Sequence, residues 1–120
     1  MMQFVYIFIG GGLGACTRFI ISRSVSSTYI WIGTLLSNIL ACFLLGYLAG
    51  SQIKEQNRLL FLLLGSGFCG GLSTFSTFSE EIVTLSSSSS YIQAFLYPLI
   101  SLFLGISSFY IGLFTANYIK

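Results

Sequence analysis

Gly65-Ser-Gly-Phe-Cys-Gly-Gly-Leu-Ser-Thr-Phe-Ser-Thr-Phe-Ser79 reads as the middle of an apolar segment that cannot stay a regular helix throughout. Gly70 and Gly71 are adjacent, and each glycine inside a helix costs roughly 1 kcal/mol relative to alanine. Ser73 and Thr74 follow at once. In lipid, backbone groups freed by a break must find partners. A helix broken at mid-membrane is tolerated where its carbonyls hold a cation or line a cavity. Three readings of this stretch stand together: an ion held by backbone carbonyls, a crossing point of two such helices, or a tight glycine contact with no ion.

Working outward, the surroundings are apolar. Of 120 residues, 55% are hydrophobic and 7% charged, with a net charge of +2; mean hydropathy is +0.91. A soluble domain carries roughly 25% charged residues, so the chain is expected to be an all-α integral membrane protein. Crossing the hydrocarbon takes a helix of about 20 apolar residues. Four such spans are expected, at about 3–23, 30–50, 59–85 and 91–119, within one domain covering 1–120. The third of them is expected to be broken at its midpoint. SRSVSSTY, SQIKEQNR and the serine run Ser86 to Ser90 connect them. The amino terminus lacks the basic region of a signal peptide. The charge is too small to point to nucleic acid.

An even number of spans places both termini and the second connection on one side. That side carries Lys54, Arg58 and Lys120, and the other carries Arg18 and Arg23. Three against two barely chooses an orientation under the positive-inside rule. Insertion both ways up, and hence an antiparallel dual-topology dimer or pairing with a related subunit, is the expectation. Gly10/Gly14, Gly46/Gly50 and Gly67/Gly71 each set small residues four apart, for close packing within a subunit or at a dimer seam. Gly10-x-Gly12-x-x-Ala15 lacks the strand and acidic partner of a dinucleotide site.

After the break, Phe75 and Phe78 are three apart and share a face. Their ring edges carry the positive end of the aromatic quadrupole and suit an anion. Thr74 and Thr77 offer hydroxyls on the neighbouring face. Asn38, inside the second span, must find hydrogen-bond partners, as a donor to a small anion or as a clamp between helices. Arg18 closes the first span, where it reaches for the interface or sets a positive potential at a vestibule. The only acids are Glu55 in a connection and Glu80 and Glu81 near the end of the third span. Cys16, Cys42 and Cys69 sit in apolar runs and read as reduced thiols facing lipid or other helices.

Together these residues resemble the fluoride channel family called Fluc or CrcB over essentially the whole chain. Gly11-Gly-Leu-Gly-Ala-Cys-Thr-Arg18, Gly33-Thr-Leu-Leu-Ser-Asn38 and above all Gly67-Phe-Cys-Gly-Gly-Leu-Ser-Thr-Phe-Ser-Thr-Phe78 carry the resemblance. It implies a dual-topology dimer in the cell membrane that passes fluoride passively and relieves its toxicity. It further implies that Phe75 and Phe78 line the fluoride path, with Asn38 as a donor and Arg18 at the entrance. Tyr97 and Ser101 would begin a polar track on the fourth helix. A sodium ion at the dimer centre would be held by the backbone carbonyls of Gly70 and Ser73. Gly105 and Phe109 stand where that track would carry hydroxyls, and Ala41 replaces the family's glycine. An incomplete track fits one half of a two-subunit channel, so homodimer and heterodimer both stand.

Two rivals share the architecture. A small multidrug transporter needs a carboxylate in its first helix, and residues 1–24 contain none. A non-transporting scaffold leaves the broken third span unexplained. An enzyme is not expected, since histidine is absent and no nucleophile has a base within its own motif.

Overall fold

The computed structural model describes residues 1–25, 29 and 31–119. Within them run α1 (Met2–Ser24), α2 (Trp31–Gly50), the short α3 (Ile53–Gln56), α4 (58–72), α5 (Ser76–Ser87) and α6 (Tyr91–Ile119). Four stretches are long and apolar enough to cross a membrane: Met2–Ser24, Trp31–Gly50, Arg58–Ser87 and Tyr91–Ile119. The expected spans match these to within two residues, apart from Ile30, which lies outside the described residues, as does Lys120.

The third span is broken near its midpoint, at the far end of the Gly70-to-Ser73 stretch. Gly70 and Gly71 are helical, Gly70 at φ −63° and ψ −38°. The chain leaves the helix at Ser73, whose ψ of 155° is extended, and α5 starts at Ser76. The glycines serve packing instead: a Cβ on Gly71 would run into the Gly11 carbonyl oxygen of α1. Leu62–Cys69, inside α4, is a π-helix, which the sequence pattern did not suggest. Gly65 and Gly67 are buried in it.

Two pairs of helices build the subunit. In the first, α1 lies on α4 through Gly10 and Gly14, whose added Cβ atoms would strike the carbonyl oxygens of Leu63 and Phe68. In the second, α2 lies on α6 in parallel: Cys42 faces Gly105, Phe43 faces Gly112, and Gly46 faces Phe109. A Cβ at Gly46 or Gly112 would strike a backbone oxygen of the opposite helix. All three glycine spacings therefore seat helices inside one subunit, where backbone-to-backbone approach gains dispersion contacts that lipid cannot supply. Ala41, Leu48, Cys69 and Leu72 form the buried core between the pairs. Cys42 is half-buried and Cys16 exposed on α1.

The connections use local hydrogen bonds. Asn57 opens α4 by accepting from the Leu60 N–H at 3.0 Å, and Ser89 takes φ 65° in the turn before α6.

Candidate functional site

The break is held by Asn38. Its Oδ1 accepts from the Thr74 N–H at 2.9 Å, and its Nδ2 donates to the Thr74 carbonyl at 3.5 Å. Asn38 is thus the clamp between helices, and it also lines a cavity. The N–H of Thr74, which would close a helical turn on the Gly70 carbonyl, is spent on Asn38. Thr74 Oγ1 in turn accepts from the Thr77 N–H at 3.2 Å and caps α5. Ser73 bonds back to the Cys69 carbonyl through both its N–H and its hydroxyl, each at 3.0 Å.

An open cavity of about 670 Å³ lies between the break, α2 and α6. Asn38, Ser73, Thr74, Phe75, Phe78 and Ser101 line it, with Cys42, Gly105 and Phe109 farther along. The Phe75 and Phe78 centroids are 5.9 Å apart, their planes tilted by 44°. Phe75 is 79% exposed, so one ring lies along the wall while the other stands free. Among the described residues, the Ser101 hydroxyl is buried without a hydrogen-bond partner. Buried polar atoms are usually satisfied, and the Trp31 Nε1 and the Ser37 hydroxyl share this state.

Other expected residues fall elsewhere. Arg18 is engaged by the backbone: its Nε donates to the Gly71 carbonyl at 3.1 Å, tying α1 to the last turn of α4. Thr77 does not line the cavity. Tyr97 is 2% exposed and lies behind the cavity, stacked at 5.1 Å from Phe78 and 5.4 Å from Trp31. Gly70 is exposed, and a Cβ there would meet nothing within 4 Å.

Sequence reasoning passed over Glu81. Its Oε1 accepts from the Thr34 hydroxyl at 2.6 Å and its Oε2 from the Tyr97 hydroxyl at 2.8 Å. The signal was present: Glu81 falls one helical turn beyond Phe78, inside the span, and a carboxylate there needs partners. Thr34, half of that signal, lay in the quoted Gly33-to-Asn38 motif but carried no role.

The carbonyls that could receive a sodium ion fit that chemistry. Ser73 has left the helical ladder, the Thr77 N–H is taken by Thr74, and the Gly70 carbonyl has lost its donor to Asn38. Free backbone oxygens suit a hard cation. No group of His, Cys, Asp or Glu among the described residues could hold a metal.

Residues 5–113 match the family model described as CrcB-like protein, Camphor Resistance (CrcB). The chain is 42% identical to the fluoride-specific ion channel FluC of Ignicoccus hospitalis, covering 93% of each chain. With the fluoride-specific ion channel FluC of Oceanobacillus iheyensis it shares 42% identity over 100% of this chain and 95% of the relative. With fluoride-specific ion channel FluC 2 of Rhodococcus jostii it shares 38% over 92% and 96%. A multi-pass helical fold, a clamped break in its third span and these likenesses over nearly the full length agree, and the chain belongs to the CrcB family.

Proposed function

We propose that this chain is a fluoride channel of the cell membrane, passing the anion passively and lowering its internal concentration. The observation that carries the reading is one cavity lined by Asn38, Ser101 and the Phe75–Phe78 pair. Fluoride is small and strongly hydrated, so a path through lipid must replace its water with donors and positive ring edges. In this reading Asn38 and Ser101 supply donors, and the edges of the Phe75 and Phe78 rings supply the positive end of the aromatic quadrupole. The remainder of the lining, Pro98, Leu102 and Ile106 among it, is apolar. Glu81 does not face the anion as a free charge, because Thr34 and Tyr97 each direct a hydroxyl at it. Those same bonds fix the Tyr97 ring behind Phe78, and so fix Phe78.

The working assembly in this reading is an antiparallel dimer, with a second copy or a related subunit. Phe75 and Gly70 stand exposed at the break, where a second subunit would close an open cavity. The numbered names FluC 1 and FluC 2 among the relatives indicate organisms with two such proteins, which keeps a heterodimer in view. A sodium ion at the dimer centre, held by the carbonyls of Gly70 and Ser73, would supply fixed positive charge and tie two breaks together.

Purified protein in liposomes is expected to dissipate a fluoride gradient and hold a chloride gradient. Phe75→Ile or Phe78→Ile should cut that flux sharply with the dimer intact. The reading fails if fluoride stays trapped both with this chain alone and with a co-expressed related subunit.

A further inference from the structure

The Tyr97 side chain is tethered at its tip. Its hydroxyl donates to Glu81 Oε2 at 2.8 Å, and that hydroxyl oxygen lies on the axis running from Cβ through the ring. The ring can turn about this axis without moving the oxygen, and the torsion concerned has only a broad intrinsic preference. The bond to Glu81 therefore sets where the axis ends and leaves the plane of the ring open. The plane has to be set by what lies against the ring. Two rings do: Phe78 of α5 at 5.1 Å, tilted by 57°, and Trp31 in the first turn of α2 at 5.4 Å, tilted by 47°. Both separations fall in the range where aromatic pairs attract. Tyr97 is buried, and Trp31 and Phe78 form no ring pairing with each other among the described residues. Trp31 thus meets Phe78 through Tyr97.

We infer that Trp31 is a positioning residue for the fluoride path: its indole sets the plane of the Tyr97 ring, and through that ring the angle at which Phe78 stands on the cavity wall. This rests on the fluoride reading and deepens it, since Phe78 lines the cavity and Trp31 does not. The state of the indole N–H supports a role for the ring alone. Trp31 Nε1 is buried with no hydrogen-bond partner among the described residues, although a buried tryptophan usually finds one. An unanswered buried donor destabilises, so the polar end of this side chain contributes nothing at its place and the ring is what packs. The angle of Phe78 matters because an aromatic ring is positive at its edge and negative on its face. Turning Phe78 changes which of the two an anion meets.

The test uses the full chain in liposomes, with fluoride flux scaled to folded protein. Trp31→Leu keeps apolar bulk and removes the ring, and flux should fall about fivefold, the worth of one aromatic pairing expressed as a rate. Trp31→Phe keeps a ring and deletes only an N–H that bonds nothing, so flux should stay within about twofold of the parent. On a Tyr97→Leu background, Trp31→Leu should lower flux no further, because the residue it acts through is gone. Trp31 is the chain's one tryptophan, so its fluorescence reads the same coupling without any flux. Phe78→Ile should shift that emission in the parent and leave it unmoved once Tyr97 is replaced by leucine. The inference is overturned if Trp31→Leu conducts as the parent does, whatever it does to the melting temperature. It is equally overturned if Trp31→Phe loses as much flux as Trp31→Leu, if Trp31→Leu still lowers flux on the Tyr97→Leu background, or if the emission ignores Phe78→Ile. Should Tyr97→Leu fail to fold, the contrast between the two Trp31 variants and the response to Phe78→Ile decide the matter. Should the parent carry no fluoride at all, the fluoride reading is what fails, and the emission still tests whether Trp31 and Phe78 are coupled.

Discussion

The two halves of the third span solve opposite problems. Its first half, α4, is built to be filled: Gly67 and Gly71 let the α1 backbone sit directly on it, and Arg18 seals its last turn. Its second half, α5, is built to leave space. Side chains rather than backbones hold it, through Glu81 to α2 and α6 and through the Phe78 ring against Tyr97. Close backbone packing tolerates no added atom, whereas a side-chain scaffold keeps a cavity open at the cost of many individually replaceable contacts. The break between them separates these two regimes.

The largest effect should come from filling the filled half. Gly71→Val places side-chain atoms on the Gly11 carbonyl oxygen, beyond the 1–3 kcal/mol typical of overpacking by roughly a methylene or two. Size-exclusion of detergent-purified protein should show no monodisperse peak. Gly70→Ala, one residue away with open space around it, should retain that peak; equal damage from both would erase the contrast.

In the open half, Glu81→Ala strips two hydroxyls of a charged acceptor. At about 1.5–3 kcal/mol per charge-assisted bond, partly offset by relaxation, a loss of about 3 kcal/mol is expected in a denaturant or thermal titration, with fluoride flux falling alongside. Asn38→Ala should come next, at about 2 kcal/mol, because it leaves the Thr74 N–H without its partner. A Thr74 side-chain change does not repair it, so Asn38→Asp is the informative companion: it restores an acceptor but introduces negative charge on the cavity wall, and should recover stability while depressing flux. Tyr97→Phe is expected to be smallest, about 1.5 kcal/mol for a single bond to a carboxylate. If its flux loss matched that of Glu81→Ala, the carboxylate would be acting mainly through the ring.

The spans and the existence of a break were readable because lipid imposes length and composition on any crossing helix. That Asn38, Phe75, Phe78 and Ser101 share one place came from the family resemblance, and the four line one cavity. What escaped has common physical causes. Glycine pairs signal either flexibility or close approach, and only the opposing Gly11 carbonyl distinguishes them. Arg18 offered a charge, but its partner is a backbone oxygen 53 residues away, invisible in any local pattern. Glu81 lay close enough to a span end to pass for an interfacial acid until Thr34 and Tyr97 were brought to it from two other helices. The π-helical stretch carries no residue code of its own.

The parallel seam between α2 and α6 has a consequence for how the chain is made. Synthesis delivers α2 to the bilayer some seventy residues before the glycine-faced surface of α6 that it seats on, as the Phe43–Gly112 contact measures. Until α6 emerges, Glu81 can take its bond from Thr34 but not the one from Tyr97, and the face of α2 at Gly46 has nothing on it. The nascent chain therefore holds α2 half-packed until the last span emerges, and a ribosome stalled before Gly112 would release a bundle missing one wall. Cleavage or premature termination in the final helix should mark the protein for removal rather than leave a leaky pore.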